Sequence, residues 1–492
     1  MCRYLRLLLV LVLPTVTLAA SPGEMQPLFT LVDLEIGEAV DVTLANGQAV
    51  RVKLLEVTEK RDNLRDAVRE AIAVVEVDGQ KVDVPSSTYH LPKTIGKVQI
   101  DCPVTKGYDR GVWALDADAR LRLWPRGSAW IRPDSFIYPA RQKWFATDTQ
   151  MGNVPCYVNG CDTPGKTDIY YHDGLDIGGC EKQTEIVAAT DGQVVSFTGE
   201  KLDDVPEIVK PRYDVLYLRD ARGWYYRYSH LAEFDAALRL GDQVKQGQRI
   251  GLVGKEGGSG GWSHLHFGIW CQMPSGRWGS LDGYCFFWQA YHAGSSTQLQ
   301  AVARPHRLIW AGDTTELDGS RSYSAKGPEH IVSYEWTFGD STTASGVRVS
   351  RRYDRPGAYC ELLKVTDKDG RSDIDLAVVH VCAPERPNEA PLSIHATYHP
   401  TLDVKPGQEI LFKVRAFNFD PTDGQETWDF GDGTPNVTTR SDGNQRSLNL
   451  NGYAVTSHCY AKPGRYLVTA SRTDKRGETA TTRLCVVVGI SN

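Results

Sequence analysis

The sequence predicts a multidomain protein dominated by β-structure, and three observations carry that expectation. Residues 39–52 alternate apolar and polar side chains about an Asn46-Gly47 pair, the strongest short-range signal for a β-hairpin. The C-terminal half contains two copies of one pattern, each a series of alternating stretches punctuated by Gly, Asp and Pro. At 492 residues the chain has room for about three domains, each with its own core.

Composition narrows the partners. The formal net charge is -6, with no basic cluster interleaved with aromatics, so nucleic acid is not an expected partner. The N-terminus has the layout of an export signal, residues 1–20. Arg3 and Arg6 precede an apolar run from Leu7 to Leu13, and Ala19-Ala20-Ser21 supplies the small residues of a cleavage site. That run is too short to span a bilayer, and no later stretch is long and apolar enough. The expectation is a secreted chain, periplasmic or extracellular. Loss of Cys2 with the signal leaves ten of the 11 cysteines, an even number that suggests disulfides in an exported protein.

Residues 25–132 read as a β-rich N-terminal domain without visible chemistry. A second hairpin is expected at Asp78-Gly79. Residues 61–72 have helical spacing, with Leu64, Val68 and Ile72 four apart. Inhibition of a precursor, wall binding and scaffolding all remain open as its role.

The chemistry lies in residues 133–297. His172 and Asp176 are four apart with Gly174 between them to ease a turn. His264 and His266 are two apart in an apolar run, and residues i and i+2 of a strand share a face. Two imidazoles and one carboxylate with an open position make a catalytic zinc site. Spacing alone does not say whether His264 or His266 binds the metal. His230 shares parity with Trp224, Tyr226 and Tyr228, which puts it at the end of an aromatic face, either as a proton-transfer group or packed at the core edge. No H-E-x-x-H is present, so a glutamate base on that helical motif is excluded. Residues 257–261, Gly-Gly-Ser-Gly-Gly, read as a flexible loop. They lack the Lys-Ser/Thr of a phosphate loop. The insert at 152–168 is rich in turn formers and is expected to be a loop tied by Cys156 and Cys161.

Taken in order, these motifs resemble the lysostaphin-type zinc endopeptidases of bacterial cell walls. The resemblance spans residues 137–292. It includes H-x-x-x-D as His172/Asp176, the strand segment 185–195, Tyr228-Ser229-His230-Leu231, the turn-rich link 240–251, and H-x-H as His264/His266. It implies an antiparallel β-sheet peptidase domain and a zinc ion held by His172, Asp176 and His266. His230 and His264 would be the proton-transfer pair, and the substrate would be a peptide crosslink of peptidoglycan. Rival readings are a protease of Gly-rich extracellular protein, a silent wall binder or regulator, and an adhesin with an accessory peptidase.

From residue 298 the repeat begins. Trp336-Thr337-Phe338-Gly339-Asp340 in the first copy answers Trp428-Asp429-Phe430-Gly431-Asp432 in the second, and Pro356-Gly357-Ala358-Tyr359 answers Pro463-Gly464-Arg465-Tyr466. These copies, 298–386 and 388–492, resemble PKD modules, which implies immunoglobulin-like β-sandwiches. The aspartates are expected to serve turns rather than calcium, and residues 383–387 a short stiff linker. Spacing about a turn predicts disulfides Cys360–Cys382 and Cys459–Cys485, with Cys271–Cys285 after the H-x-H strand. The modules are expected to be exposed tethers to peptidoglycan or another extracellular polymer. A chain cut after about residue 296 would then cleave a small peptide at a near-normal rate.

Overall fold

The computed structural model describes residues 26–108, 110–152, 164, 170–293 and 298–490. The export signal and the Cys156/Cys161 pair lie outside them. The chain is all-β, and among the described residues Tyr284–Ala293 is the longest helix.

The N-terminal domain is two four-stranded antiparallel sheets. One runs in the order Thr30–Leu34, Ala119–Pro125, Val98–Thr105, Lys93–Ile95. The other follows the chain through Ala39–Thr43, Ala49–Arg61, Val68–Val77 and Gln80–Pro85. Val52, Val75, Ile100 and Leu121 meet in the core between them. Both predicted hairpins form. At the second, Asp78 and Gly79 have φ of 46° and 81°, the left-handed pair that a two-residue turn requires, and Val77 faces Gln80. The helix expected over 61–72 does not form. From Ala71 onward every second residue is buried, so period two wins, and the strand starts at Val68. Asp62 Oδ1 accepts the N–H groups of Leu64 and Arg65 and turns the chain before it.

The central domain is built on an eight-stranded sheet. Its main path is Glu200–Lys201, Gly192–Phe197, Leu216–Arg219, Tyr225–Ser229, His264–Gln272 and Trp278–Ser280. Leu175–Gly178 also pairs with the strand carrying both histidines. One face is aromatic core: Tyr226, Tyr228 and Phe267 are buried, and Phe287 of the helix packs 5.0 Å from Phe267. The opposite face bears the polar residues of the site.

The two repeats fold as sandwiches around Trp336 and Trp428, both fully buried. They are not two bodies on a linker. Gly357–Asp367 pairs in parallel with Thr479–Val488, so strands of both modules run in one nine-stranded sheet. The turn reading of the aspartates holds: Asp340 and Asp432 each cap their own turn, accepting from Thr342 and Thr434.

The three predicted disulfides do not form. Cys360 lies opposite Val378, four residues out of register with Cys382. Cys459 lies opposite Glu409 in one sheet, while Cys485 lies opposite Leu467 in the other. Cys271 is on a strand and Cys285 in the helix, each a buried thiol. Symmetry about a turn set the first pairing, but register decides it. Burial pushes the Cys102 and Cys271 thiols up to about 12, so they behave as small apolar side chains.

Candidate active site

Strand register assembles the site. Ser229 pairs with His266, and His266 with Asp176 on its other side; His264 lies opposite Gly178. His172 precedes the bend at Gly174, whose φ is +80° and whose Cβ, if present, would lie 2.5 Å from Phe267 O. The glycine is needed to bring His172 back over the sheet. All five residues predicted from sequence meet in one cleft of about 370 Å³.

His172 Nε2, His266 Nδ1 and Asp176 Oδ1 converge. The pairs lie 2.9 Å (His172–His266), 3.1 Å (His266–Asp176) and 3.2 Å (His172–Asp176) apart. A tetrahedral zinc with bonds of ~2.0–2.1 Å spaces its donors about 3.3–3.4 Å apart, so this set fits such an ion with almost no movement. His264 Nε2 stands further off, 3.6 Å from Asp176 Oδ1. His172, Asp176 and His266 thus form the tighter donor set, and His264 stands outside it. Burial raises the Asp176 carboxyl, but His172, His264 and His266 outweigh it and hold the group well below the usual carboxylate range. Burial lowers His172, yet the neighbouring Asp176 raises it above its ordinary value.

His230 reaches the cleft by a route its parity hides. Tyr226 and Tyr228 point into the core, and strict alternation would bury His230 with them. It sits instead at φ 68°, between Tyr225–Ser229 and Leu231–Phe234, and that left-handed bend swings its ring out to lie tilted against His264, 4.7 Å between centroids. His230 Nδ1 lies 2.7 Å from Glu256 O, and His264 Nδ1 lies 3.1 Å from Trp262 O. A carbonyl can only accept, so Nδ1 carries the hydrogen in both rings and Nε2 is left to take a proton. Burial pushes His264 down to about 4, which keeps it neutral near pH 7.

Sequence reasoning missed Asp214. Its carboxylate is fully buried and accepts the His230 backbone N–H at 3.2 Å and a forked pair of bonds from Arg212 at 2.8 and 2.5 Å. Burial raises this carboxyl, and the bonds from His230 and Arg212 more than reverse that. The pair fixes the backbone at the strained residue. Nothing in the local sequence marks it, because Asp214 precedes an ordinary apolar strand.

The walls of the cleft come from every domain. Arg69 comes from the N-terminal domain, Arg307 and His380 from the first repeat, and Phe417 and Asn418 from the second. The glycine-rich segment 257–261 is pinned rather than free. Asn444 donates to Gly260 O at 2.9 Å, and Arg415 to Gly261 O at 3.0 Å. Trp262 stacks on Phe417 at 4.2 Å, and Ser263 N–H donates to Tyr453 Oη at 2.9 Å. The repeats thus supply none of the five site residues but pack against the segment leading into the strand that carries two of them, so they are not exposed on every side. A second cluster, His330, Asp367 and Asp369, is not a comparable site, since Lys326 and Arg371 already pair with Asp369 at 2.7 Å each.

Comparison with known proteins agrees with this organisation. Residues 170–275 match peptidase family M23, and residues 299–381 and 395–487 each match the PKD domain. A curated relative, the Dyslexia-associated protein KIAA0319-like protein of Mus musculus, is 42% identical over 77 residues; the match covers 14% of this chain and only 7% of that protein. Among solved structures, Helicobacter pylori Csd3 overlaps with a TM-score of 0.21 and 16% identity over 50% of this chain and 74% of that one. The Clostridium thermocellum CbhA fibronectin(III)-like modules overlap with a TM-score of 0.16 and 11% identity over 39% and 93%. The chain carries, in this order, a β-rich N-terminal domain, an M23-family peptidase domain and two PKD domains.

Proposed function

We propose that this chain is an exported zinc metalloendopeptidase that hydrolyses peptide bonds in peptidoglycan crosslinks. The observation that supports it most is the convergence of His172 Nε2, Asp176 Oδ1 and His266 Nδ1 within 3.2 Å of one another, in a cleft that also holds His230 and His264. These three side chains would hold the metal, which supplies Lewis-acid activation of water and of the scissile carbonyl near neutral pH. The protein's own residues do the rest. His230 and His264 take the proton of the attacking water on Nε2 and return it to the leaving amine, because Nδ1 of each is engaged by a backbone carbonyl. Asp214 and Arg212 keep His230 in place. Walls from the other domains limit water around the reacting groups and so strengthen every charge interaction there. The outer faces of the PKD domains provide the contact with insoluble polymer. No helix among the described residues is long and apolar enough to cross a membrane.

The test is to incubate the full-length, zinc-loaded protein with purified peptidoglycan, and in parallel with gelatin and elastin, and to identify new termini by mass spectrometry. New amino termini in the peptidoglycan stems or crosslinks are expected. Cleavage of gelatin or elastin alone would move the substrate to extracellular protein, and no new terminus in any of them would sink the peptidase reading.

A further inference from the structure

The floor of the cleft carries a cation that the proposed chemistry does not use. On the strand Tyr225–Ser229, Ser229 stands in the row of His266 and Asp176. The next row on the same face pairs Arg227 with Gly268, two residues and so about 6.6–6.8 Å along the sheet. Gly268 leaves the floor bare there. A Cβ on it would come within 3.2 Å of Trp270 Nε1 and 3.7 Å of Arg227 Cβ. Gly174, whose own Cβ would lie 3.3 Å from Gly268 Cα, extends the same bare backbone.

Charge pairing sets Arg227 apart. Four arginines line the cleft. Arg69 is paired with Asp62 at 2.5 Å, Arg212 with Asp214 at 2.5 Å and Arg307 with Glu70 at 3.7 Å. Among the described residues Arg227 has no ion pair, and its one hydrogen bond runs from Nε to Ser229 Oγ at 2.7 Å. Its outer fork, the part that grips a carboxylate through two parallel bonds, is unused. Beside it, over the same glycine, Trp270 Nε1 is a buried donor with no acceptor among the described residues. Asp173 also borders the cleft but forms no ion pair with Arg227. A half-buried guanidinium in the row beside His266 and Asp176, with no ion pair among the described residues and its outer fork unspent, is placed to take an anion from outside the fold.

We infer that Arg227 reads a carboxylate on the substrate, so that the cleft takes an acidic peptide with an Asp- or Glu-type side chain within two residues of the bond cut. This rests on the peptidase reading for the meaning of "substrate". It adds a specificity determinant: the metal and the histidines select a peptide bond, and Arg227 selects which peptide.

The test uses the full-length, zinc-loaded protein and N-acetylated, C-amidated Ala/Gly octapeptides. A single Glu, or its isostere Gln, is stepped through each position. Kd is measured by calorimetry and kcat/KM by product analysis. At one position near the cut, wild type should favour Glu over Gln by about 10–10²-fold in Kd, the size of a charge-assisted bond. Arg227→Gln should bring that ratio to about one, and Arg227→Lys should restore part of it as a point charge without the fork. Equal behaviour of the Glu and Gln series at every position, strong or weak, would overturn the inference while leaving the peptidase reading intact. So would a ratio that survives Arg227→Gln, or an Arg227→Gln loss shared equally by both series, which would make Arg227 a general electrostatic group. Conversely, a Glu/Gln difference in Kd without cleavage of any peptide or of peptidoglycan leaves the anion site standing and removes the peptidase.

Discussion

Removal of one oxygen atom tests whether the second PKD domain is a wall of the active site or a tether. Tyr453 Oη accepts the N–H of Ser263 at 2.9 Å and bonds His395 Nδ1 at 2.8 Å. Ser263 and His395 are both fully buried. In Tyr453→Phe the Ser263 N–H has no acceptor, which costs about 1–3 kcal/mol, and His395 Nδ1 loses its partner for a similar amount. The sum, about 2–6 kcal/mol, is a large share of the ~5–15 kcal/mol that holds a typical domain together. Ser263 is bonded directly to His264, and a catalytic group displaced by ~1 Å loses on the order of 10² in rate. The expected outcome is a kcat/KM on a small soluble peptide lower by about 10–10²-fold, with zinc content unchanged and a lower melting temperature. A chain ending at residue 297 should lose that activity as well, because Trp262 and the segment 257–261 are left without Phe417, Arg415 and Asn444. This reverses the near-normal rate expected from sequence alone. Wild-type kcat/KM on the soluble peptide in both proteins would refute the wall and restore the tether.

The metal set gives the next expectation: His172→Ala, Asp176→Ala and His266→Ala should each lose the bound zinc in metal analysis of the purified proteins. Its pH dependence follows from His172, whose folded pKa is raised above the ordinary ~6.5. In the metal-free protein the His172–Asp176 pair is fully stabilising below ~6.5 and is lost as pH rises through the folded value. Zinc must displace that proton, so its affinity should fall by about tenfold per pH unit below His172's pKa. Chelator competition at pH 8 and 6 would show this, and a flat affinity would contradict it. His230→Ala should keep zinc and lose about 10²–10⁴-fold in kcat. Asp214→Asn should lower kcat with little change in KM, since Asp214 holds His230 and touches no substrate; its carboxyl is depressed, so the stability it contributes is present above ~3.9 and fades as pH falls, visible in denaturant melts against wild type. Mass mapping after alkylation without reductant should find modified thiols, not bridges, at Cys271, Cys285, Cys360 and Cys485.

What the sequence made legible was local. His264 and His266 share a strand face because the side-chain period is two, and Asn46-Gly47 and Asp78-Gly79 turn because their backbones tolerate left-handed φ; neither depends on distant partners. Three expectations failed. The Cys360–Cys382 pairing mistook the centre of the turn: Thr366 faces Ser372, so Cys360 meets Val378 within its own hairpin. The parity of His230 assumed a regular strand, where Asp214, 16 residues earlier, holds a left-handed bend. The flexibility of 257–261 assumed an empty neighbourhood, where Asn444 and Arg415 supply donors from 184 and 154 residues away. In the last two a contact more distant in sequence overrode a correct local rule.

Those distant contacts also explain why so polar a site can be buried. His172, Asp176, His230, His264 and His266 crowd one cleft face, and desolvation works against the charge on His172, Asp176, His264 and His266. Placed on the open face of a lone eight-stranded sheet, they would be surrounded by water that competes for every bond. The two PKD domains share one sheet, and the N-terminal domain packs on the other side, where Val68 N–H donates to Tyr171 Oη at 2.8 Å next to His172. On the peptidase reading proposed above, a substrate would lie between these walls, along a floor where Arg227 follows the row of His266 and Asp176.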